Sequence, residues 1–107
     1  AKYLSIVGNT KNKSKKYIFA LGKTFYYTNK FDQAKVYLEK LPEISAANYL
    51  LSKIYASEFE YNKTKEYLFK AANVKPIYWI KPKVDNSFKN FLLNPEFVSY
   101  IENKGIP

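Results

Sequence analysis

The sequence predicts an all-α fold of helical hairpin repeats closed by C-terminal capping helices. Three observations predict it. The fragments AKYL, KVYL and KEYL recur at residues 1–4, 35–38 and 65–68. Apolar residues follow each of them and, in the second and third copies, precede them at the three-, four- and seven-residue spacings that place side chains on one face of a helix. Turn formers and prolines punctuate the stretches between, at Thr28-Asn29-Lys30, Pro42 and Pro76.

The repeats are aligned on their Tyr-Leu pairs: Tyr3-Leu4, Tyr37-Leu38 and Tyr67-Leu68, followed three residues later by Val7, Leu41 and Ala71. Phe31 precedes Leu38 by seven residues and Tyr61 precedes Leu68 by seven, with Ala34 and Thr64 in the same register. Helices are therefore expected over 31–41 and 61–72. A second apolar helix precedes each. In KKYIFALGKTFYYT, Ile18, Leu21 and Phe25 share a face with Gly22 beside them; in AANYLLSKIYAS, Leu51 and Tyr55 hold the matching places, with Ser52 where Gly22 stands. A glycine inside a helix costs about 1 kcal/mol against alanine, so Gly22 is expected to admit the close approach of another helix.

Ser14 and Ser45 are the expected N-caps, because a side-chain oxygen there can accept from an otherwise orphaned first-turn N–H. Residues 28–30 form the turn inside the first hairpin and residues 57–60 the turn inside the second. Pro42 and Pro76 stop the pairs. The step from Leu4 to Leu38 is 34 residues and from Leu38 to Leu68 is 30, a difference that falls in the linkers.

The tail is of another kind. VKPIYWIKPK, with two prolines, is expected to be irregular or a single short turn. VDNSFKNFLLN puts Val84, Phe88, Phe91 and Leu92 on one face of a helix. In NPEFVSYIENKG, Asn94 is the N-cap, Pro95 the first helical residue and Gly105 the residue just past the end, with Phe97, Val98 and Ile101 as the apolar stripe. Trp79, the single tryptophan, reads either as a plug between the repeats and the closing segment or as a binding anchor.

These residues carry a resemblance to tetratricopeptide repeats. Leu21, Gly22, Phe25, Phe31, Ala34 and Leu38 match the family's pattern of large and small positions in a repeat over 15–42. Leu51, Tyr55, Tyr61, Leu68, Ala71 and Pro76 match it in a repeat over 45–75, with Ser52 and Thr64 as softer matches. Residues 1–7 resemble the end of a preceding repeat, DNSFKNFLLNPEF (85–97) is similar to the closing segment of many bacterial members, and capping helices are expected over 82–105. The chain is thus read as one domain, 1–107. Its Ala1 start without methionine reads as an excised fragment of a longer protein. Stacking of such repeats normally takes about three copies, so the two ends must cover the stack or missing repeats must.

The resemblance implies a protein-interaction module, because the first helix of each repeat lines the family's concave face. By position those residues are Lys16, Phe19, Lys23, Tyr26 and Tyr27 in one repeat and Ala46, Tyr49, Lys53 and Ser57 in the next. An aromatic row, Phe19 and Tyr49, runs beside a lysine row, Lys23 and Lys53. Such a groove would take a protein or peptide partner, the aromatics supplying contact area and the lysines meeting carboxylates. Some family members grip a chaperone's terminal carboxylate with lysine, asparagine and arginine. Here Phe19 stands in place of the first clamp lysine and Lys23 in place of an asparagine, so that ligand is not expected.

Composition narrows the rest. All 18 basic residues are lysines against nine carboxylates, for a net charge of +9. The abundance of lysine, asparagine, tyrosine, phenylalanine and isoleucine reads as AT-rich codon usage or as a surface that meets an anionic partner. Lysine lacks the planar fork that reads guanine or grips phosphate in two places, which argues against nucleic acid. The run KNKSKK at 11–16 reads as a solvated linker, with phosphate or anionic lipid contact as the alternative.

Histidine and cysteine are absent, which removes the commonest general base and thiolate metal sites. The only glycines, Gly8, Gly22 and Gly105, make no phosphate loop, and the carboxylates are scattered. No catalytic residue, cofactor or metal is expected, and no apolar run is long enough to span a membrane. Besides the module, a structural cap or oligomerisation segment of a longer repeat protein fits the same pattern.

Overall fold

The computed structural model describes residues 14–106, so residues 1–7, expected to end a preceding repeat, lie outside the described residues. Five α-helices form among the described residues: α1 Lys15–Tyr27, α2 Phe31–Leu38, α3 Ser45–Ser57, α4 Tyr61–Val74 and α5 Pro95–Glu102. Between α4 and α5 run four 3₁₀ segments, Pro76–Trp79, Lys81–Lys83, Asn86–Phe88 and Phe91–Leu93. No strand occurs among the described residues, and the fold is all-α.

Ser14 caps α1, its hydroxyl accepting from the Tyr17 N–H at 3.2 Å. Ser45 does not cap α3. The helix already includes it, Ile44 is the cap residue, and no side chain bonds the first turn. Asn48 instead ties the entry loop, its amide donating to the Pro42 carbonyl at 3.0 Å. α2 ends at Leu38, three residues short of the expected end, and α4 runs on to Val74.

α1 pairs with α2 and α3 with α4, and both hairpins turn by the same device. In the first, Lys30 N–H donates to the Phe25 carbonyl and Asn29 N–H to that of Tyr26. In the second, Glu60 N–H donates to Tyr55 and Phe59 N–H to Ala56. This double closure requires a left-handed residue after the C-cap, a place usually taken by glycine. Here Asn29 (φ 62°) and Phe59 (φ 58°) take it. Asparagine tolerates that conformation, whereas a bulky residue there is strained.

The packing repeats as closely as the turns. Phe25 stacks on Tyr37 with ring centroids 5.5 Å apart and planes 13° off parallel, and Tyr55 stacks on Tyr67 with the same distance and angle. Gly22 is where α1 and α2 touch. A Cβ built there would lie 2.6 Å from Leu38 Cδ2 and 2.9 Å from its Cγ, so the absent side chain is what lets Leu38 reach α1. Ser52 fills the matching place in α3, wholly buried, its hydroxyl donating to the Tyr49 carbonyl at 2.7 Å.

α3 holds the chain together. One core gathers Ile18, Ala34, Leu38 and Leu41 around its Ala47, Leu50, Leu51 and Ile54. A second joins its Tyr49 and Ala56 to Leu68, Ala71 and Ala72 of α4 and to Tyr78, Trp79, Phe88, Phe91, Phe97 and Ile101 of the tail. Each fully buried leucine or isoleucine contributes about 1.5–3 kcal/mol relative to exposure. Polar links join the hairpins at their edge. Lys35 bonds Glu58 at 2.7 Å, and the Tyr55 hydroxyl donates to Glu39 at 3.2 Å.

The tail departs from expectation in an instructive way. VDNSFKNFLLN does not form an α-helix. The Asp85 carboxylate accepts from the Ser87 N–H at 3.0 Å, a local bond that competes with helix formation, and the chain takes 3₁₀ turns instead. A 3₁₀ turn repeats every three residues rather than 3.6. Phe88 and Phe91, three apart, are both buried, but Val84, four before Phe88, is 83% exposed. Asp85, three before Phe88, takes the inward place.

Trp79 is buried between Phe69 of α4 and Tyr100 of α5, edge-on to both. Pro95 opens α5, with the Asn94 side chain accepting from the Glu96 N–H at 2.9 Å. At its far end Gly105 N–H donates to the Tyr100 carbonyl. Lys104 (φ 55°) and Gly105 (φ 78°) are both left-handed, and a Cβ on Gly105 would lie 2.8 Å from the Phe69 ring.

Candidate partner-binding face

α1 and α3 lie side by side, and the 30-residue offset between them brings Phe19 next to Tyr49 and Lys23 next to Lys53. A surface cavity of about 320 Å³ opens between the two helices and the first part of the tail. Of the expected face residues, Phe19, Lys23, Tyr27, Ala46, Tyr49 and Lys53 line it. Lys16 is exposed on the first turn of α1 and does not line it. Tyr26 does not line it; it packs on Phe31, rings 5.7 Å apart, and borders the site through Tyr27, edge-on at 5.1 Å, and Lys53, whose ammonium lies 5.3 Å from its ring centroid. Ser57 sits at the exposed end of α3 and returns its hydroxyl to the Ile54 carbonyl at 2.6 Å.

The tail completes the wall with Tyr78, Lys81 and Asp85, three residues absent from the sequence-based set. They change what Tyr49 and Lys53 can do. Tyr49 is not an open aromatic shelf. It is only 6% exposed, stacks on Tyr78 at 4.6 Å, and donates its hydroxyl to Asp85 at 2.9 Å. Lys53 is not a free cation either. Its ammonium bonds the same carboxylate oxygen at 3.2 Å, and the two side chains are 16% and 21% exposed.

The protonation states follow from these contacts. Burial alone would raise the Asp85 carboxyl, but the Ser87 N–H, the Tyr49 hydroxyl and Lys53 outweigh it and hold the group below its ordinary value. Burial alone would likewise lower Lys53, and Tyr26 and Asp85 more than offset that. The Tyr49 hydroxyl is pushed well up, first by burial and then by its bond to Asp85, so it remains a donor across the whole working range.

Lys23 and Lys81 are the unspent cations. Neither has a carboxylate within ion-pair distance among the described residues. Both rest on aromatic faces, Lys23 on Phe19 at 5.0 Å and Lys81 on Tyr78 at 5.2 Å. The face therefore presents three ammoniums against one carboxylate, with Phe19 half-buried and Tyr27 exposed beside them.

No family model matches the chain, and neither the curated proteins nor the solved structures contain a match. The geometry stands on its own residues.

A larger cavity, about 550 Å³, opens between α4 and α5, where Lys65 sits between the rings of Tyr61 and Tyr100 at 4.9 and 5.0 Å. The Tyr61 hydroxyl is buried there without a hydrogen-bond partner among the described residues. Its cations and acids are balanced one to one, by Lys65 and Glu96. No ligand polarity is favoured there, in contrast to the face between α1 and α3. No group of three or more metal-ligating side chains occurs among the described residues, and no helix among them is long and apolar enough to cross a membrane.

Proposed function

We propose that this chain is a protein-interaction module of the tetratricopeptide type and that the face between α1 and α3 takes an extended, acidic peptide segment. The observation that carries this reading is the uneven charge at the concavity: Lys23, Lys53 and Lys81 against Asp85 alone. An acidic side chain entering there meets two ammoniums already positioned over aromatic rings. Apolar neighbours of that side chain meet Phe19 and Tyr27. Aromatic area supplies affinity, while the charges supply orientation and faster encounter. The matching Gly22/Ser52 and Phe25–Tyr37/Tyr55–Tyr67 arrangements in the two hairpins support the repeat assignment.

Asp85 has a place in this reading. It sits where a partner's carboxylate would sit against Lys53, and it belongs to the chain's own tail. The segment Tyr78–Asp85 is a built-in occupant of one half of the face, and the half around Phe19, Lys23 and Lys81 is left for the guest.

The test is fluorescence anisotropy with a labelled peptide alternating glutamate with leucine, against the same peptide with glutamine for glutamate. The acidic peptide binds and the glutamine peptide binds at least about tenfold more weakly. Lys23→Glu with Lys81→Glu abolishes the preference without unfolding the chain, because neither lysine holds an ion pair. Equal binding of the two peptides, or a preference that survives the double reversal, sinks the proposal.

A further inference from the structure

One lysine lacks the acid that its counterpart in the other hairpin has. The Lys35 ammonium rests on Tyr55, 4.7 Å from its ring centroid, and bonds Glu58, three residues beyond that tyrosine, at 2.7 Å. Lys65, which matches Lys35 at the 30-residue offset, rests on Tyr100 at 5.0 Å. Three residues beyond Tyr100 stands Asn103, not an acid, and its amide donates to the Ser99 hydroxyl at 3.1 Å. The Tyr100 hydroxyl donates to the Lys65 carbonyl at 3.3 Å, which fixes that ring against α4. Lys65 is thus held between the rings of Tyr61 and Tyr100 with no carboxylate within ion-pair distance among the described residues. The cavity of about 550 Å³ opens at this ammonium, and Glu96, in the first turn of α5, lines it too. Glu96 holds no ion pair among the described residues either, so two opposite charges line one cavity without joining each other. Pro95 and Ile106 add apolar wall.

We propose that this cavity binds a small zwitterion with an apolar body. Its carboxylate bonds Lys65, in the role that Glu58 plays for Lys35. Its ammonium bonds Glu96, and its aliphatic part lies against Pro95 and Ile106. This is the chemistry of a free aliphatic amino acid, or of a dipeptide with both ends free. A cavity with one charge of each sign favours neither an anion nor a cation, because each would meet one like charge. A molecule that carries both signs meets a partner at each end, through charge-assisted hydrogen bonds. The two rings already hold the Lys65 side chain, so little ordering remains to oppose binding. The volume falls within the range of about 300–1,000 Å³ typical of small-molecule sites. The Tyr61 hydroxyl is covered by the wall and takes no part. None of the lining residues belongs to the face between α1 and α3, so the two sites stand or fall separately.

The experiment is a heteronuclear NMR titration of the chain with L-leucine, with isocaproate, which lacks leucine's ammonium, and with isoamylamine, which lacks its carboxylate. Leucine shifts the amides of Lys65, Glu96 and Ser99. Each singly charged analogue binds at least about tenfold more weakly, having lost one charge-assisted hydrogen bond. Lys65→Met keeps a stem between the rings and brings leucine down to the level of isoamylamine. Glu96→Gln, at an exposed residue, brings leucine down to the level of isocaproate. Circular dichroism of both variants stays that of the parent. Leucyl-leucine separates the two sources of the ligand: tighter binding than leucine assigns the site to the ends of a peptide, weaker binding to a free amino acid, and either sustains the proposal. No shift at the cavity with either zwitterion overturns it. So does equal binding of leucine and its two analogues, or leucine binding that both variants leave unchanged.

Discussion

Replacing Asp85 by asparagine should move stability and peptide affinity in opposite directions. One carboxylate oxygen receives the Ser87 N–H, while the other receives both the Tyr49 hydroxyl and the Lys53 ammonium. An amide has a single acceptor oxygen. If that oxygen keeps Ser87, the NH₂ faces Lys53 and the ammonium loses its partner. If it turns to Tyr49 and Lys53, the Ser87 N–H is orphaned. The Lys53–Asp85 pair is too shielded to behave like a surface bridge of about 0–1 kcal/mol. It is too open to reach the 3–5 kcal/mol of a broken fully buried pair. A loss of about 1.5–2 kcal/mol follows, in line with a charge-assisted hydrogen bond. For a domain of this size that lowers the melting temperature by roughly 10 °C.

Lys53, released, becomes a third ammonium for the guest, so Asp85→Asn should bind the glutamate–leucine peptide about fivefold more tightly, or about 1 kcal/mol. Urea denaturation and anisotropy on one preparation read both quantities. The pH dependence carries the same signature. The folded Asp85 carboxyl titrates below its ordinary value, so its stabilisation is present above about pH 4 and is lost as pH falls through the lowered folded value. The stability gap between parent and variant should therefore close in acid. Unchanged stability at neutral pH, or an affinity that stays level or falls, would refute the view that Asp85 stands in for a partner's carboxylate.

Other substitutions test the framework that positions this face. Gly22→Ala gains about 1 kcal/mol of helix propensity but drives a Cβ into Leu38, whose own displacement costs about 1–3 kcal/mol; denaturant titration should show a net loss of about 1 kcal/mol. Phe59→Asn puts at the second hairpin turn the residue that Asn29 provides at the first. It relieves a left-handed bulky residue that is 71% exposed, and thermal unfolding should show a gain of about 0.5–1 kcal/mol.

Helices α1 to α4 were legible because one signal, apolar residues at helical spacing, was repeated at the same offset in two places. Gly22 could be assigned its packing role from sequence because only a missing side chain justifies its cost inside a helix. Ser45 misled because a serine before an apolar run looks the same at the cap as one residue inside. Val84 misled because the α and 3₁₀ periods agree over three residues and part company at four.

The tail's share of the face was hidden for another reason. Tyr78 and Lys81 lie between Pro76 and Pro82, in a stretch expected to be irregular, so no face could be assigned to them. Asp85 ahead of Asn-Ser carried a readable signal, since an aspartate two residues before a backbone donor favours a local turn. That signal locates the turn; the 36-residue separation from Tyr49 is closed only by tertiary packing. Lys53 looked free in sequence because its counter-charge, Asp85, lies 32 residues further along the chain.

The most direct measurement is a heteronuclear NMR titration of the chain with the glutamate–leucine peptide. Amide and side-chain shifts should cluster at Phe19, Lys23, Tyr27, Lys53 and Lys81, with Asp85 moving as its hold on Lys53 is contested. Shifts confined to the Tyr61–Tyr100 cavity, or spread evenly over the lysine surface, would contradict it.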